Sequence, residues 1–549
     1  MKKPLLSELT VKEKIGQMLL FQQITFKKKY IDGKVVNFSD DVLIEAVKKY
    51  QPGCFWREQK QLPLGMERTL ASEREFNDRI QAASKYPVLI GADSENGFKY
   101  CYSDATETLC LTSIGAADDT ELTYQLNKGV CAENRAAGFR WRWSSIVDIP
   151  TRFMGYATGR NFATDPERIV RHATAVARAA ESEGVASHVK HFPGNDPYGG
   201  VVDGHFSATV IRVPYDEWEK RQGKTFIDMI NAGVMTIMTT HRAFPAVDDE
   251  MINGKYVPTT ISKKITTGLL REKLGFKGVI ITDDLVMASF NTFMPRKDLI
   301  IRAVNAGNDA LLGVTEEDIE TIYQAVEDGT IPMSRIDESC QRILDLKEKI
   351  GMFDEEETPY TDRASAREMI EDANRKIAEK ALTLLYDRNN LLPINPEKVK
   401  RVAIVYISHN EVAIKNLDHM KDEFSKRGAT VDIYVNISNS NKNEIYDHDL
   451  IIYAGYISGH NPMGMPSFYG EQMRSFFYAF SDANERSIGL SLGHPCIHID
   501  SMAGANTFIN AYSPDPLTLR TFVRAIYGEI PFVGTSPYDI EQKIRYVYC

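Results

Sequence analysis

Residues 278–284 read GVIITDD, an apolar run that ends on two carboxylates, Asp283 and Asp284. A short β-branched run of this kind, bounded by glycine and charged residues, is typical of a buried strand in a parallel sheet. Three other apolar runs also end on ionisable side chains, namely on Asp93, on Lys190 and His191, and on His241 and Arg242. We therefore expect ionisable groups from four strands to meet at the carboxyl ends of one parallel sheet.

Strand-like runs alternate with longer amphipathic segments, such as residues 216–232 and 263–274, through the first two thirds of the chain. Eight repeats of strand and helix predict an α/β fold, specifically a (β/α)8 barrel over residues 1–353, whose active site lies at the carboxyl ends of the strands. The eight candidate strands are residues 16–20, 53–56, 88–91, 144–148, 186–191, 234–240, 278–283 and 309–313.

A second alternation of strands and helices begins after a linker, residues 354–396, that we expect to pack on the barrel. It predicts a three-layer α/β/α sandwich domain over residues 397–549, of ordinary domain size. No GxGxxG follows its first strand, since the sequence there is IVYISHNEV, so no nucleotide is assigned to this domain. Its candidate strands are residues 401–407, 431–435, 449–454 and 487–491, and its candidate helices are residues 411–427, 471–483 and 516–527.

The composition of the 549 residues is that of an ordinary globular protein, with 43% apolar and 26% charged residues and a formal net charge of −10. No run approaches the ~20 apolar residues of a membrane helix, and we expect neither a signal peptide nor a membrane partner. Seven cysteines without CxxC spacing favour a reducing cytoplasm. The absence of a Lys/Arg tract argues against nucleic acid, and the oligomeric state stays open.

The loop after the fifth predicted strand, KHFPGNDPYGGVVDGHFSATV, carries Asp203 and His205 among four glycines. A carboxylate beside an imidazole orients the ring and stabilises its protonated form. A dyad on such a loop can donate a proton to a leaving oxygen and take one back. The alternative is an Asp–His hydrogen bond that only closes the loop.

Each candidate also has a structural interpretation. For Asp93 and Asp283 we favour a functional role, because burying an ionised carboxylate costs several kcal/mol unless the carboxylate is paired or takes part in function. For Asp284 we favour a structural role in a loop or helix cap, and for His188 a structural role in the protein interior. For His241 and Arg242 the functional and the structural interpretation are equally favoured.

These residues lie in stretches that resemble family 3 of the glycoside hydrolases, in particular its branch with an Asp–His dyad. KHFPG followed by DGH is highly specific for that branch, and GFKGVIITDD is nearly as specific. The matching stretches are LTVKEKIGQMLLF, GADSENG, GRNFATDPERI, KHFPG with DGH, IMTTHRAFPAVD, LGFKGVIITDDL, AGNDALL and LTLLYDRNNLLPI.

The resemblance implies a retaining enzyme that needs no cofactor and acts on a small β-glycoside. Asp283 would be the nucleophile that forms a covalent glycosyl-enzyme, His205 the acid/base and Asp203 its partner. The residues that match positions holding sugar hydroxyls are Asp93, Arg160, Lys190 and His191.

Two departures from the acetylglucosaminidase pattern concern the sugar pocket. After KHFPG the branch usually has His-Gly-Asp, whereas residues 195–197 are Asn-Asp-Pro. After the Asp-x-Glu pair it usually has Gly-Gly-Arg, whereas residues 96–98 are Asn-Gly-Phe. A plain β-glucoside and a β-N-acetylglucosaminide both stay open as donors.

A histidine acid/base suits phosphate as the acceptor. At ~5 Å and an effective dielectric constant near 20, an ionised carboxylate would repel each phosphate charge by roughly 3 kcal/mol, which neutral imidazole does not. Some dyad members of the family are regarded as phosphorylases. We therefore expect a β-glycoside phosphorylase with some hydrolase activity; the alternative is a β-N-acetylglucosaminidase or β-glucosidase that uses water. Candidates for phosphate or the pocket are Arg140, Arg142, Arg160, Arg242 and His241.

Two rival classes fit less well. A metal-dependent barrel hydrolase would generally carry an H-x-H pair on its first strand, and GQMLLFQQ has no histidine. A sugar-binding protein without catalysis would not need a nucleophile and a dyad together. We expect no metal and no organic cofactor, with inorganic phosphate as a co-substrate.

Overall fold

The computed structural model describes residues 2–22, 30–31, 34–35, 40–57, 68–99, 101–150, 159–197, 203–457, 468, 470–499 and 501–539. The chain divides into two compact units. The first comprises Met1–Thr108, Thr123–Asp148 and Val170–Glu371, and the second comprises Leu109–Leu122, Ile149–Ile169 and Asp372–Cys549. The boundaries that the sequence suggests at residues 353 and 396 stay a prediction.

Within its described residues, the first unit contains eight parallel strands. In chain order they are β1 (Leu19–Gln22), β2 (Cys54–Trp56), β3 (Leu89–Ala92), β4 (Trp141–Arg142), β5 (His188–Phe192), β6 (Thr236–Thr239), β7 (Val279–Ile281) and β8 (Leu311–Leu312). Two antiparallel pairs of two-residue strands accompany them, Tyr30–Ile31 with Lys34–Val35 and Met251–Ile252 with Lys255–Tyr256.

These eight strands form two parallel sheets of an α/β fold. The order is β8-β1-β2-β3-β4 in one sheet and β7-β6-β5 in the other. Isolated parallel bridges, Trp141 with Ala186 and Ile281 with Ala310, link residues at the edges of the two sheets. The strands are short and almost entirely buried, with His191 in β5 the half-buried exception among them, as expected of parallel strands that are covered on both faces.

Helices follow most of the strands. The α-helices are Val11–Met18, Asp40–Tyr50, Leu70–Ala83, Leu111–Ala117, Thr120–Ala136, Pro166–Ser182, Tyr215–Trp218, Lys224–Asn231, Arg296–Ala306, Glu316–Glu327, Met333–Lys349, Arg363–Ala381, Asp418–Ser425, Lys442–Tyr446, Gly470–Ser475 and Pro516–Ile526. The π-helical segments are Glu219–Gly223 and Lys264–Lys273, and the 3-10 turns are Leu6–Glu8, Thr259–Ile261, Glu411–Leu417, Asn484–Arg486 and Ile497–Ile499.

The first predicted strand, residues 16–20, was misplaced. Residues up to Met18 are helical, and the strand begins only at Leu19. A capping box starts this helix, because Thr10 Oγ1 accepts a hydrogen bond from the Glu13 N–H while Glu13 accepts one from the Thr10 N–H. The cap and the helical spacing of the apolar residues outweigh the short apolar run.

The fourth predicted strand, residues 144–148, was also misplaced. The paired strand is β4, and within residues 144–148 only Ile146 makes a bridge, to Lys190. Ser145 has a φ of +78°, which interrupts the extended backbone. Arg142 therefore lies inside the strand instead of preceding it.

In the part of the second unit that the structure describes, six strands form one sheet. Its strands are β9 (Thr383–Asp387), β10 (Arg401–Ile407), β11 (Thr430–Val435), β12 (Leu450–Gly455), β13 (Ser487–Ser491) and β14 (Thr507–Asn510), in the order β9-β14-β13-β12-β10-β11. All neighbours are parallel except β9, which pairs antiparallel with β14. The edge strand β9 falls within the predicted linker, and β14 was not predicted.

Both faces of this sheet are buried. Along β10, Val402, Ile404 and Tyr406 belong to one apolar cluster. The alternate residues Ala403, Val405 and Ile407 belong to another cluster. This alternation follows from the two-residue period of a strand and explains why the run is apolar throughout.

None of the described helices is both long and apolar enough to cross a membrane.

Candidate active site

Lys190, in β5, joins two carboxylates that follow β3. Its Nζ lies 2.5 Å from Asp93 Oδ1 and 2.9 Å from Glu95 Oε1, and its side chain is only 2% exposed. A buried ammonium needs such partners, and the second carboxylate leaves the cluster with acceptor oxygens for hydroxyl donors. The structure thus brings Asp93 and Lys190 together as predicted. Glu95 was not among the predicted residues, although its place two residues after Asp93 was a usable signal.

Asp283 follows β7, where its backbone N–H donates to Thr239 O at 3.0 Å. Its Oδ1 accepts a hydrogen bond of 2.8 Å from the Asp284 N–H. Burial raises the pKa of Asp283, but its interactions with the imidazoles of His191, His241 and His205 outweigh the burial and leave the pKa below its ordinary value of 3.8. The carboxylate is therefore held in the ionised form that a nucleophile needs.

His191 is held by a carboxylate that we did not predict as a site residue. Asp148 Oδ2 lies 2.9 Å from His191 Nδ1, and Asp148 Oδ1 accepts the His191 backbone N–H at 2.9 Å. Burial opposes ionisation of Asp148, but His191 and Arg242 lower its pKa overall. Because the Asp148 carboxylate accepts a hydrogen bond from His191 Nδ1, Nε2 is the nitrogen of His191 that can face a ligand. Asp148 ends the predicted fourth strand, and that placement was the missed signal.

Asp203 and His205 form the predicted dyad. His205 Nδ1 lies 2.6 Å from Asp203 Oδ1, which also accepts the His205 backbone N–H at 2.9 Å. The imidazole is 42% exposed and the carboxylate 7%. Burial raises the pKa of Asp203, but the hydrogen bonds from His205 and the charge of Arg242 bring it below 3.8. Because His205 Nδ1 is bonded to Asp203, Nε2 is the nitrogen of His205 that can exchange a proton with a substrate.

His241 supports the backbone beside Asp283. Its Nε2 lies 3.0 Å from Asp284 O and its Nδ1 2.8 Å from Thr260 Oγ1, and its ring packs on Phe290. Burial lowers the pKa of His241, although Asp283 opposes this shift. Since a carbonyl can only accept, Nε2 carries the proton of the neutral ring.

Arg242 lies between the two Asp–His pairs. Its Nη1 donates to Gly194 O at 3.0 Å and lies 3.5 Å from Asp148 Oδ2. On its other side, a Cβ added to Gly204 would lie 3.7 Å from its Nε. The guanidinium thus adjoins the loop that carries the dyad, at the same end of the sheets as Asp283.

Arg142 is buried behind the site. Its Nε and Nη2 donate to the carbonyls of Ser94 and Glu95 at 3.1 and 3.2 Å, and its Nη1 donates to Asn127 Oδ1 at 2.6 Å. The guanidinium therefore supports the turn after Asp93 from inside the protein.

The structure does not bring Arg140 to this cluster. Arg140 precedes β4, at the amino end of the sheet, and donates to the carbonyls of Gly184 and Ile350. Burial, together with the neighbouring charge of Arg135, lowers its pKa to about 9. The hypothesis of a phosphate role for Arg140 is therefore poorly supported.

Two residues take the structural roles that the sequence favoured. His188 is buried, with Nδ1 2.8 Å from Thr236 Oγ1. Asp284 Oδ1 accepts hydrogen bonds from the Val286 N–H at 3.0 Å and from Gln22 Nε2 at 2.9 Å, which closes the loop after β7.

The departures from the family pattern also have structural roles. Asp196 Oδ2 accepts the Arg212 N–H at 2.8 Å. Phe98 is 2% exposed and packs on Tyr102 and Phe139. A phenylalanine at this position therefore adds to the core and offers a ligand no charge. Residues 198–202, in the loop between Asp196 and the dyad, lie outside the described residues.

Arg160 belongs to the second unit, directly after residues 151–158, which lie outside the described part of the chain. Its predicted contact with a sugar stays a prediction. Residues 458–467 and 469 of the second unit also lie outside the described residues. Among the residues that the structure describes, no group of three or more His, Cys, Asp or Glu side chains is arranged to hold a metal ion.

The chain matches the model of the glycosyl hydrolase family 3 N-terminal domain over residues 10–346. A β-N-acetylglucosaminidase/β-glucosidase from Cellulomonas fimi is 26% identical over 487 residues, which is 84% of this chain and 85% of that protein. A solved structure described as β-glucoside phosphorylase BglX bound to 2FGlc is 25% identical, with a TM-score of 0.82 over 97% of this chain and 95% of that one. A family 3 β-N-acetylglucosaminidase from Paenibacillus sp. str. FPU-7 has the same fold, with 23% identity and a TM-score of 0.78 over 97% of this chain and 99% of that one.

The family model covers more than half of the chain, and the matched residues contain the carboxylates, histidines and lysine described above. Two relatives that align over 84% and 75% of the chain are glycosidases by name. This chain belongs to glycosyl hydrolase family 3, and it is a β-glycosidase-type enzyme.

Proposed function

We propose that the chain is a retaining β-glycoside phosphorylase with some hydrolase activity, which cleaves β-glucosides or β-N-acetylglucosaminides. The observation that carries the proposal is the pairing of an ionised Asp283 with an Asp203–His205 dyad on the neighbouring loop. A retaining mechanism needs one nucleophile and one proton donor, and these residues supply one of each.

The proposal includes a (β/α)8 barrel followed by an α/β/α sandwich. The two isolated bridges support the barrel, because they would join the two sheets of the first unit into one ring of eight strands in chain order. The carboxyl ends would then surround one mouth, where barrel enzymes place their catalytic residues. The two buried faces of the second sheet support the sandwich.

In the first step, Asp283 attacks the anomeric carbon as the bond from that carbon to the leaving oxygen breaks. The imidazolium of His205 gives its Nε2 proton to that oxygen, so the leaving group departs as an alcohol. The Asp148–His191 pair and the Asp93–Lys190–Glu95 cluster hold hydroxyl groups of the sugar. Fixing the sugar in this way supplies most of the orientation that the reaction requires.

In the second step, an oxygen of phosphate attacks the anomeric carbon and the bond to Asp283 breaks, which yields a β-sugar 1-phosphate. A phosphate dianion needs no base, and the neutral imidazole of His205 does not repel it. Arg242 is the remaining arginine candidate that lies beside the dyad, and its positive charge favours an anion there. The similar β-glucoside phosphorylase BglX supports this acceptor.

A second candidate function is hydrolysis, in which water attacks the same intermediate and His205 acts as base. The similarity to a β-N-acetylglucosaminidase/β-glucosidase favours it. Among donors, the buried Phe98 favours a plain β-glucoside, because the family's usual arginine at that position is missing. A cytoplasmic location is part of the proposal, since phosphate is plentiful there.

The decisive experiment measures cleavage of aryl β-glucoside and aryl β-N-acetylglucosaminide with and without 10 mM phosphate. Sulfate at matched ionic strength serves as the control. We expect phosphate, and not sulfate, to raise the rate and to produce the sugar 1-phosphate, detected by ³¹P NMR. Free sugar as the only product, formed at a rate independent of phosphate, would leave hydrolysis as the function.

A further inference from the structure

Two large apolar side chains are exposed on the loops that carry the proposed acid/base and follow the proposed nucleophile. Phe206 directly follows His205 and is 58% exposed, and Val286 follows Asp283 by three residues and is 39% exposed. Elsewhere in the first unit, the described large apolar side chains that are this exposed lie on other elements, namely Leu5, Val11, Val42 and Met251. Single exposed apolar residues are ordinary, but these two lie on loops that contact each other through the hydrogen bond from the Ser289 N–H to His205 O.

The backbone holds these two residues close to the reacting groups. The Asp203 carbonyl accepts hydrogen bonds from the N–H groups of both Phe206 and Ser207 at 3.2 Å, so residues 203–207 form a tight turn. The Ser289 N–H donates to His205 O at 3.3 Å. The segment that carries Val286 therefore runs from the nucleophile to a direct contact with the acid/base loop.

Neither residue is needed to fill the core. Ala208, two residues after Phe206, packs against the apolar core of the first unit, as do Leu285 and Phe290 on either side of the Val286 segment. Phe206 and Val286 point out of that core into solvent. Covering an exposed aromatic ring with a flat apolar surface removes both surfaces from water and so stabilises the complex.

From these contacts we infer that Phe206 and Val286 form the binding site for the leaving group, and that they select glycosides whose leaving group presents a flat apolar face. The reasoning rests on the proposed function, in which His205 protonates the leaving oxygen and the leaving group must therefore lie against the residues around His205. Both an aromatic ring and the C–H face of a sugar have this chemistry. The two residues thus determine specificity and take no part in bond breaking.

The test measures how one glycosyl-enzyme divides between two acceptors. Dinitrophenyl β-glucoside forms the intermediate, and benzyl alcohol competes with methanol for it; each acceptor adds its oxygen to the anomeric carbon, releases Asp283 and loses its proton to His205. The ratio of benzyl to methyl β-glucoside does not depend on donor affinity. We expect Phe206→Ala to lower this ratio about tenfold, the effect of one lost aromatic contact, and Val286→Thr to lower it about threefold.

Phe477→Ala is the matched control, because Phe477 is 79% exposed and lies in the second unit. It should leave the ratio unchanged, and Phe206→Leu should restore part of it. Glucose in place of benzyl alcohol separates the two sources: a fall for benzyl alcohol alone indicates an aromatic leaving group, and a fall for both indicates that sugars bind there as well.

A ratio that stays the same in both Phe206→Ala and Val286→Thr, for both acceptors, would overturn this site and leave the proposed function standing. Wild-type protein that cleaves no β-glycoside would overturn the proposed function, and this site with it.

Discussion

The backbone N–H of Asp284 donates a 2.8 Å hydrogen bond to Oδ1 of its neighbour Asp283, and the two adjacent carboxyl groups have pKa values shifted in opposite directions. Burial raises the pKa of Asp284 to about 6, and the charge of Asp283 adds to the rise. Three imidazoles outweigh the burial of Asp283 and lower its pKa. Near pH 5, therefore, Asp283 is ionised while Asp284 is largely protonated. The charge of Asp283 suits the nucleophilic attack that we propose for it, and the neutral Asp284 suits its place in the loop structure.

The pair Asp283→Asn and Asp284→Asn tests this division of roles. We expect Asp283→Asn to lower kcat for an aryl β-glycoside at least 1,000-fold, because a neutral amide is a far weaker nucleophile. Asp284→Asn should keep more than a tenth of the activity, since its Oδ1 can still accept from Gln22 and Val286. Similar losses in the two variants would contradict the assignment of Asp283. Azide should restore no retained product to Asp283→Ala.

His205→Ala tests the acid role through the leaving group. A proton donor matters most when the leaving oxygen is basic, so we expect the loss in kcat/KM to exceed 100-fold for phenyl β-glucoside. For the dinitrophenyl glucoside the loss should stay below tenfold. The measurement is a plot of log kcat/KM against the pKa of the leaving group, which should steepen in the variant. His188→Ala serves as a control, since His188 is buried against Thr236 and should alter both substrates equally.

Asp284 also predicts a pH dependence of stability. Its folded-state pKa, about 6, lies above the ordinary 3.8 of an unfolded chain, so the folded state binds the proton more tightly. The free energy of unfolding is therefore undiminished below about pH 4 and falls as the pH rises towards 6. Asp284→Asn removes this dependence, so its stability relative to wild type should rise by on the order of 1–3 kcal/mol between pH 4 and 6. Urea titrations at several pH values measure it, and a constant difference would disprove it.

Gly313 and Gly329 form a matched pair for the packing beneath Asp284. Both have a φ close to +80°, so alanine strains the backbone equally. A Cβ at Gly313 would lie 2.3 Å from Asp284 Oδ1 and 2.5 Å from Gln22 Nε2, whereas nothing lies within 4 Å at Gly329.

We expect Gly329→Ala to cost about 1 kcal/mol of stability and to leave activity unchanged. Gly313→Ala should cost roughly 2–4 kcal/mol, because the added methyl displaces the hydrogen bond between Gln22 and Asp284. It should also lower kcat, since Asp284 is the neighbour of Asp283, the proposed nucleophile. Thermal unfolding and steady-state rates measure the two effects, and equal stability losses would show that the contact is unimportant.

Local pattern was enough to place most of the catalytic candidates. The strands before Asp93 and Asp283 are short apolar runs, and an ionisable residue that follows such a run lies at its end whatever the strand pairs with. Asp203 and His205 are two residues apart, so their hydrogen bond is a local contact. The first strand was misplaced because a helix cap upstream competed with the apolar run for the same residues.

The sequence by itself determined which ionisable side chains end strands, which dyad lies on a loop, and which family the motifs resemble, because strand termini and contacts between near neighbours depend only on the local order of residues. Tertiary structure alone decided that Asp148 holds His191, that Glu95 shares Lys190 with Asp93, and that Arg142 faces inward while Arg242 faces the dyad. Those pairings join residues 43 to 97 positions apart in the chain. The order of the strands in the sheets decides which of these distant residues meet, and no local sequence pattern encodes that order.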